Sequence, residues 1–183
     1  MLQVGESIGM NKGGNMKKLI IINGVMGVGK TTISKLLYKE LENSFWLDGD
    51  NCWMMNPFIV DDENKNMVLD NISYVINNFI KNSNSQYVVF NWVIHTDEIM
   101  NDVLSKIDIS DVDIYKITLT CSKETLISRI ENDIKNGLRD ENNVERSLER
   151  LLLYNKMNTI KIDTTNKDVS IIVKEIKDIV LKK

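Results

Sequence analysis

Apolar residues gather in five short runs along the chain, at 19–22, 44–47, 87–94, 113–120 and 160–163, and longer stretches of mixed pattern separate them. The first run, Leu19-Ile20-Ile21-Ile22, is unbroken, as expected of a strand covered on both faces of a parallel sheet. Between the runs the period lengthens. Thr32, Ile33, Leu36, Leu37 and Leu41 recur at helical spacing, as do Met67, Ile72, Val75, Ile76, Phe79 and Ile80 over 67–81. A short helix over 97–106, a helix capped by Ser122 and carrying Leu126, Ile127 and Ile130, and an amphipathic closing helix over 169–181 complete the set. Residues 61–66 read as a polar linker, 82–85 as a break, 164–166 as a loop, and 52–58 as an apolar stretch outside the regular elements. Strands alternating with helices predict an α/β protein with a three-layer α/β/α sandwich.

Composition narrows the class. A chain of 183 residues, 43% hydrophobic and 27% charged, makes one ordinary globular domain. A net charge of −3 and a pI near 5.3 argue against bulk binding to nucleic acid or an anionic membrane. No apolar run could span a bilayer, and the start has no secretory pattern. Cys52 and Cys121 are far apart and form neither a disulfide framework nor a zinc pattern; both read as reduced, buried thiols of a cytoplasmic protein. Residues 1–15, with four glycines and little periodicity, look foreign to the domain that follows. Lys12-Gly13-Gly14-Asn15 before Met16 reads as a translated ribosome-binding site, making Met16 the expected start; a natural flexible tail is the alternative.

Candidate chemistry begins at Gly24-Val25-Met26-Gly27-Val28-Gly29-Lys30-Thr31, which fits the phosphate-binding pattern G-x-x-x-x-G-K-[ST]. It sits where its chemistry requires, between a buried strand and a helix that starts near Thr32. Backbone N–H groups of such a loop and of the helix N-terminus converge on a polyanion. Gly24 and Gly29 permit backbone angles and a close approach that a β-carbon would obstruct. Lys30 can reach the β- and γ-phosphates, and the Thr31 hydroxyl can ligate Mg²⁺. The motif therefore predicts a nucleoside triphosphate, with ATP and Mg²⁺ as the expected pair.

The second strand ends in Asp48-Gly49-Asp50-Asn51. Ligands meet open parallel sheets at the carboxyl ends of their strands, so two carboxylates here are placed to serve a metal–phosphate centre and an attacking hydroxyl. A simple turn would use the same residues. The following stretch, with Trp53, Met54 and Phe58, is either core or the apolar wall of an acceptor pocket. His95, the only histidine, follows the third run and is either a boundary residue or a contact to the acceptor. All four arginines fall at Arg129, Arg139, Arg146 and Arg150. Guanidinium groups match phosphate oxygens bidentately and stabilise a transferring phosphoryl group. Pairing with Glu141, Glu145 and Glu149 on a solvated helix would account for some of them.

Over 16–183 the chain resembles the P-loop small-molecule and nucleotide kinases. Leu138-Arg139-Asp140-Glu141-Asn142, with Glu149-Arg150-Leu151 and Tyr154, is similar to the lid-closing segment of adenylate kinases. By that resemblance Arg139 and Arg150 clamp phosphates, and Arg129, in Ser128-Arg129-Ile130, stacks on adenine. Leu47-Asp48-Gly49-Asp50-Asn51 resembles adenylylsulfate, gluconate and shikimate kinases and the chloramphenicol phosphotransferases. That likeness implies that Asp48 helps hold Mg²⁺ through water and that Asp50 orients or deprotonates the acceptor hydroxyl. It further implies a five-stranded sheet in the order 2-3-1-4-5 and a short lid around 133–143.

The departures are informative. The third run ends Phe90-Asn91-Trp92, without the carboxylate of the usual second magnesium motif, and Asp133 stands where adenylate kinases place another lid arginine. Residues 48–120 contain no arginine, whereas nucleoside monophosphate kinases and shikimate kinases need arginines there. An anion left without a partner costs several kcal/mol, on the order of other unpaired charges. The expected acceptor is thus a neutral or weakly charged hydroxyl compound resting near Asp50, Trp53, Met54, Phe58 and His95. A nucleoside monophosphate kinase and an ATP-hydrolysing protein without a small acceptor are the competing readings. Partners such as nucleic acid or membrane are not expected, and the chain fits a monomer or homodimer.

Overall fold

The computed structural model describes residues 16–138 and 143–182. The expected upstream stretch 1–15 lies outside them, as do Arg139 and the rest of 139–142 in the expected lid. Strand β1 (Lys17–Gly24) leads into helix α1 (Lys30–Glu40), and β2 (Ser44–Asp48) runs into a short 3-10 helix, Gly49–Trp53. Then come α2 (Asp62–Lys81), β3 (Tyr87–Asn91), α3 (Asp97–Ser105), β4 (Val112–Thr120), α4 (Lys123–Lys135), α5 (Asn143–Lys156), β5 (Ile160–Asp163) and α6 (Val169–Leu181). All neighbouring strands are parallel, in the order β2-β3-β1-β4-β5.

This order fixes the layers. Parallel crossovers are right-handed, so a connection that reverses direction along the sheet puts its helix on the opposite face. From β1 the chain moves outward to β2, then returns to β3 and continues to β4 and β5. Hence α1 covers one face and α2 to α5 the other, while α6 returns to pack on α1. The strand ends of β1 and β3, where the chain departs in opposite directions, form the crevice in which such sheets bind ligands.

The core is the sheet's centre. Leu19, Ile20, Ile21 and Ile22 are all 0% exposed, and α1 covers them with Ile33 and Leu37 while α2 contributes Val68, Ile72 and Ile76. At about 25 cal/mol per Å² of apolar surface, each such side chain stabilises the fold by roughly 1.5–3 kcal/mol. Edge strand β2 compensates with rings: Trp46 stacks on Tyr38 at 5.6 Å and Phe45 packs on Phe79 at 4.8 Å.

Two boundaries and the burial of one residue differ from the sequence expectation. Residues 61–66 are not a linker: Asp61 caps α2 by accepting from the Asn64 amide at 2.8 Å, and Asp62 and Glu63 favour the positive end of the helix. β3 stops at Asn91 instead of Ile94, because β1 turns into the glycine loop. The buried Asn23 side chain then takes over the ladder, donating to the Ile94 carbonyl at 2.9 Å and accepting from the Thr118 hydroxyl. Finally, Cys52 is only half-buried; Cys121 is buried as expected.

Candidate active site

The glycine loop follows from the local chain. Gly24 has φ 147°, and a β-carbon there would lie 2.7 Å from the Leu119 carbonyl oxygen on β4. Gly29 (φ 104°) caps α1 in the left-handed region. No acidic residue occupies the first turn of α1 and no side chain caps it. The positive end of the helix, with first-turn amides that have no intrahelical acceptor, is therefore left for an anion. Lys30 is 8% exposed, and its ammonium donates to the Gly24 and Val25 carbonyls at 2.9 and 3.1 Å. It is folded down on the loop at the edge of the space a triphosphate would fill.

Asp48 joins the loop to β2. Its Oδ2 accepts from the Thr31 hydroxyl at 2.8 Å, and its Oδ1 accepts from the Asp50 amide at 3.1 Å, which caps the 3-10 helix. The turn and the functional readings of Asp48-Gly49-Asp50-Asn51 thus coincide: one carboxylate does both jobs, and the turn it closes presents Asp50, exposed, to the cleft. Thr31 and Asp48 supply hard oxygen donors, as Mg²⁺ prefers. Among the described residues no cluster of three His, Cys, Asp or Glu side chains stands ready to hold a metal alone. Asn91, beside Asp48 in the register, is 1% exposed and accepts from Trp46 Nε1 at 2.7 Å. It ties the two strands together.

A cavity of about 380 Å³ runs along the loop. Met26 to Ile33, Asp50 and Arg129 line it, and so do Val93, Asn132, Asp133, Lys167, Val169 and Ile172. Arg129 reaches from α4 to donate to the Val28 carbonyl at 3.2 Å and to the Thr164 hydroxyl and carbonyl at 3.0 and 2.9 Å. Its guanidinium is a fixed wall of the nucleotide cavity and also a brace between the glycine loop and the chain after β5. The sequence reading missed Asn132, Lys167, Val169 and Ile172, which sit in polar or ordinary amphipathic contexts with no motif to single them out.

Where the sequence reading expects the acceptor, Trp53 and Phe58 pack at 5.3 Å. With Cys52, Met55, Met67 and Tyr74, Trp53 and Met54 line a groove of about 430 Å³ between the 3-10 helix and α2. The stretch is divided: Cys52 and Trp53 pack against the core, whereas Met54, 83% exposed, and Phe58, 64%, are surface. Burial, and then the Asp48 carboxylate, push the Cys52 thiol above its ordinary range. His95 is not drawn to this groove but lies near α5: burial, with Arg150 and Arg146 nearby, holds its imidazole below the ordinary 6.5. Arg146 and Arg150 make no ion pair with Glu145 or Glu149 among the described residues. Within the range expected to form a lid, α4 ends where Gly137 (φ 67°) turns the chain and the Leu138 amide donates to the Asp133 carbonyl at 2.9 Å.

Residues 20–149 match the family described as an AAA domain. No curated protein matches the chain. Among solved structures, the tunicamycin resistance protein of Deinococcus radiodurans superposes with a TM-score of 0.67 at 19% identity, over 91% of this chain and 97% of that one. A gluconokinase from Sinorhizobium meliloti 1021 gives 0.62 at 15% identity, over 88% and 90% of the two chains. A sugar kinase from a Janibacter species gives 0.62 at 13%, over 88% and 93%. At such identities the likeness is one of fold, and it agrees with the strand order and the loop geometry. The chain thus belongs to the AAA domain family and carries the P-loop kinase fold.

Proposed function

We propose that this protein transfers the γ-phosphoryl group of Mg-ATP to a hydroxyl group of a small molecule that is neutral or weakly charged and is not a nucleoside monophosphate. The observation that carries the reading is the chain of contacts Thr31–Asp48–Asp50, at 2.8 and 3.1 Å, which puts a metal-side hydroxyl, a shared carboxylate and an exposed second carboxylate at one end of the glycine loop. In a phosphotransferase the second carboxylate serves to orient or deprotonate the acceptor hydroxyl.

In this mechanism the loop amides, the start of α1 and Lys30 hold the triphosphate, while Arg129 flanks the remainder of the nucleotide. When bound, Mg²⁺ neutralises charge on the phosphates; Thr31 would ligate it and Asp48 would fix that hydroxyl. Asp50 aligns the acceptor oxygen for in-line attack and accepts its proton. Arg150, with Arg139 in the lid, stabilises charge on the transferring group once the lid has closed. The protein acts in the cytoplasm.

Release of ADP, measured against nucleoside monophosphates, sugars, polyols, nucleosides and antibiotic-like alcohols side by side, tests the proposal. Acceptor-stimulated release with a hydroxyl compound is expected. Efficient phosphorylation of a monophosphate, at kcat/KM of about 10⁴ M⁻¹s⁻¹ or more, would overturn the acceptor class. Slow release that no acceptor stimulates would overturn the transferase.

A further inference from the structure

Residues 48–120 hold no arginine, yet the fold does not leave that side of the cleft without one. On α5, Arg146, Arg150 and Tyr154 follow at intervals of four and so share a face. This face meets Val25 and Met26 of the glycine loop and Val93 beyond β3 around a small cavity of about 10 Å³. Tyr154 is 1% exposed, and its hydroxyl is buried without a hydrogen-bond partner. Leaving such a group unsatisfied is costly. Burial, opposed by Arg150 and reinforced by Asp50, raises its pKa well above the ordinary value, so it remains a neutral donor. His95 Nδ1 is likewise buried and unpartnered. Arg146 is exposed and Arg150 half-buried, and neither has a carboxylate partner among the described residues.

Arg146, Arg150 and Tyr154 thus border one small space, and none of the three has a protein acceptor among the described residues. Donors without acceptors select an oxyanion. Room for one atom, with an exposed and movable arginine as the outer wall, suits a single oxygen of a larger group whose other oxygens lie on the guanidinium edges.

We propose that Arg146, Arg150 and Tyr154 form an acceptor-side subsite for one oxyanionic substituent of the acceptor, so that the substrate class is a hydroxyl compound bearing a carboxylate or similar single anion. The inference rests on the phosphotransfer reading and deepens it. Arg150 faces both the transferring phosphoryl group and this substituent, and Arg146 belongs to the substituent alone. Asp50 near Tyr154 then keeps the acceptor hydroxyl and its anion on opposite sides of one small molecule.

His95 is the sole histidine, so its ring protons give an isolated NMR signal beside the subsite. With the nucleotide site saturated by ADP and Mg²⁺, the full chain is titrated with sodium sulfate, sodium acetate and, at matched ionic strength, sodium chloride. Saturable shifts of the His95 signal with sulfate or acetate, and not with chloride, are expected; whichever of the two binds tighter distinguishes a tetrahedral from a planar oxyanion. Arg146→Gln should weaken the oxyanion about tenfold or more, the loss of one charge-assisted pair. Arg146→Lys should fall between. Tyr154→Phe should also weaken it while leaving the melting temperature unchanged or raised, because the hydroxyl has no protein partner to lose. A response equal to that of chloride, or an oxyanion affinity that Arg146→Gln does not alter, would overturn the subsite. The ADP response in the same spectra separates the two readings: its absence removes both, whereas ADP binding without an oxyanion response removes only this one.

Discussion

The two sides of the cleft are built on opposite terms. On the donor side, β1 is a run of wholly buried isoleucines and leucine, Lys30 is 8% exposed, and the loop is held by its own carbonyls and by Arg129. On the proposed acceptor side, Met54 is 83% exposed, Phe58 64% and Tyr74 71%, and the short 3-10 helix is capped by Asp48. Rigid burial on one side fixes where the triphosphate must lie. An apolar surface on the other leaves shape and chemistry to be completed by what binds there. Catalysis should therefore be concentrated in the donor side and selectivity in the acceptor side.

The strongest way to break that division is Lys30→Ala. Removing a cation from the transferring phosphoryl group should reduce turnover by about 10³–10⁵-fold, the range for a single charge-neutralising residue. Circular dichroism should still report a folded chain, and a near-normal rate would remove the loop from the chemistry. Next comes Asp50→Asn, which should lower kcat by about 10²–10⁴-fold with little change in ATP affinity. An equal loss in ATP affinity, measured by calorimetry, would move Asp50 from the acceptor to the metal. Phe58→Ala sharpens the comparison from the other side. This exposed ring should cost little stability, but losing an aromatic contact of about 0.5–1.5 kcal/mol should raise the acceptor KM by roughly 2–10-fold at constant kcat. Steady-state kinetics with the best acceptor would check it, and a fall in kcat alone would count against a binding role.

The smallest effect concerns His95. A histidine held below its ordinary 6.5 takes its proton at lower pH in the folded than in the unfolded chain. Its contribution to stability is present above the unfolded value and is lost as pH falls through that value toward the depressed folded one. Urea midpoints at about pH 7.5 and 5.5 should therefore differ by less in His95→Asn than in the parent. An unchanged difference would assign the slope to carboxylates instead.

Much of this was legible from sequence because it is local. The strand–loop–helix around Gly24 to Thr31, the cap at Ser122 and the break at Gly137 are written in adjacent residues, and the strand order followed from the resemblance they support. Asp61 was harder: a polar run before a helix reads as linker until its side chain is seen closing the first turn. The early end of β3 could not be read, since it depends on Asn23, far away in sequence, replacing a ladder bond. The acceptor side was the least legible. An arginine-free segment in sequence says nothing of the guanidinium groups that α5 carries across the sheet, because proximity there is set by the crossover from β4 to β5 and not by spacing along the chain.

The brace made by Arg129 ties distant parts of the molecule into one cooperative unit. Through Val28 and Thr164 it makes the phosphate loop and the entry to α6 share a single side chain, and α6 in turn packs on α1, the helix that begins at that loop. Local opening of the C-terminal helix and loosening of the nucleotide loop thus become parts of the same equilibrium. Any ligand that holds the loop shifts this equilibrium for both, so bound nucleotide should guard the end of the chain from proteases that never come near the phosphates.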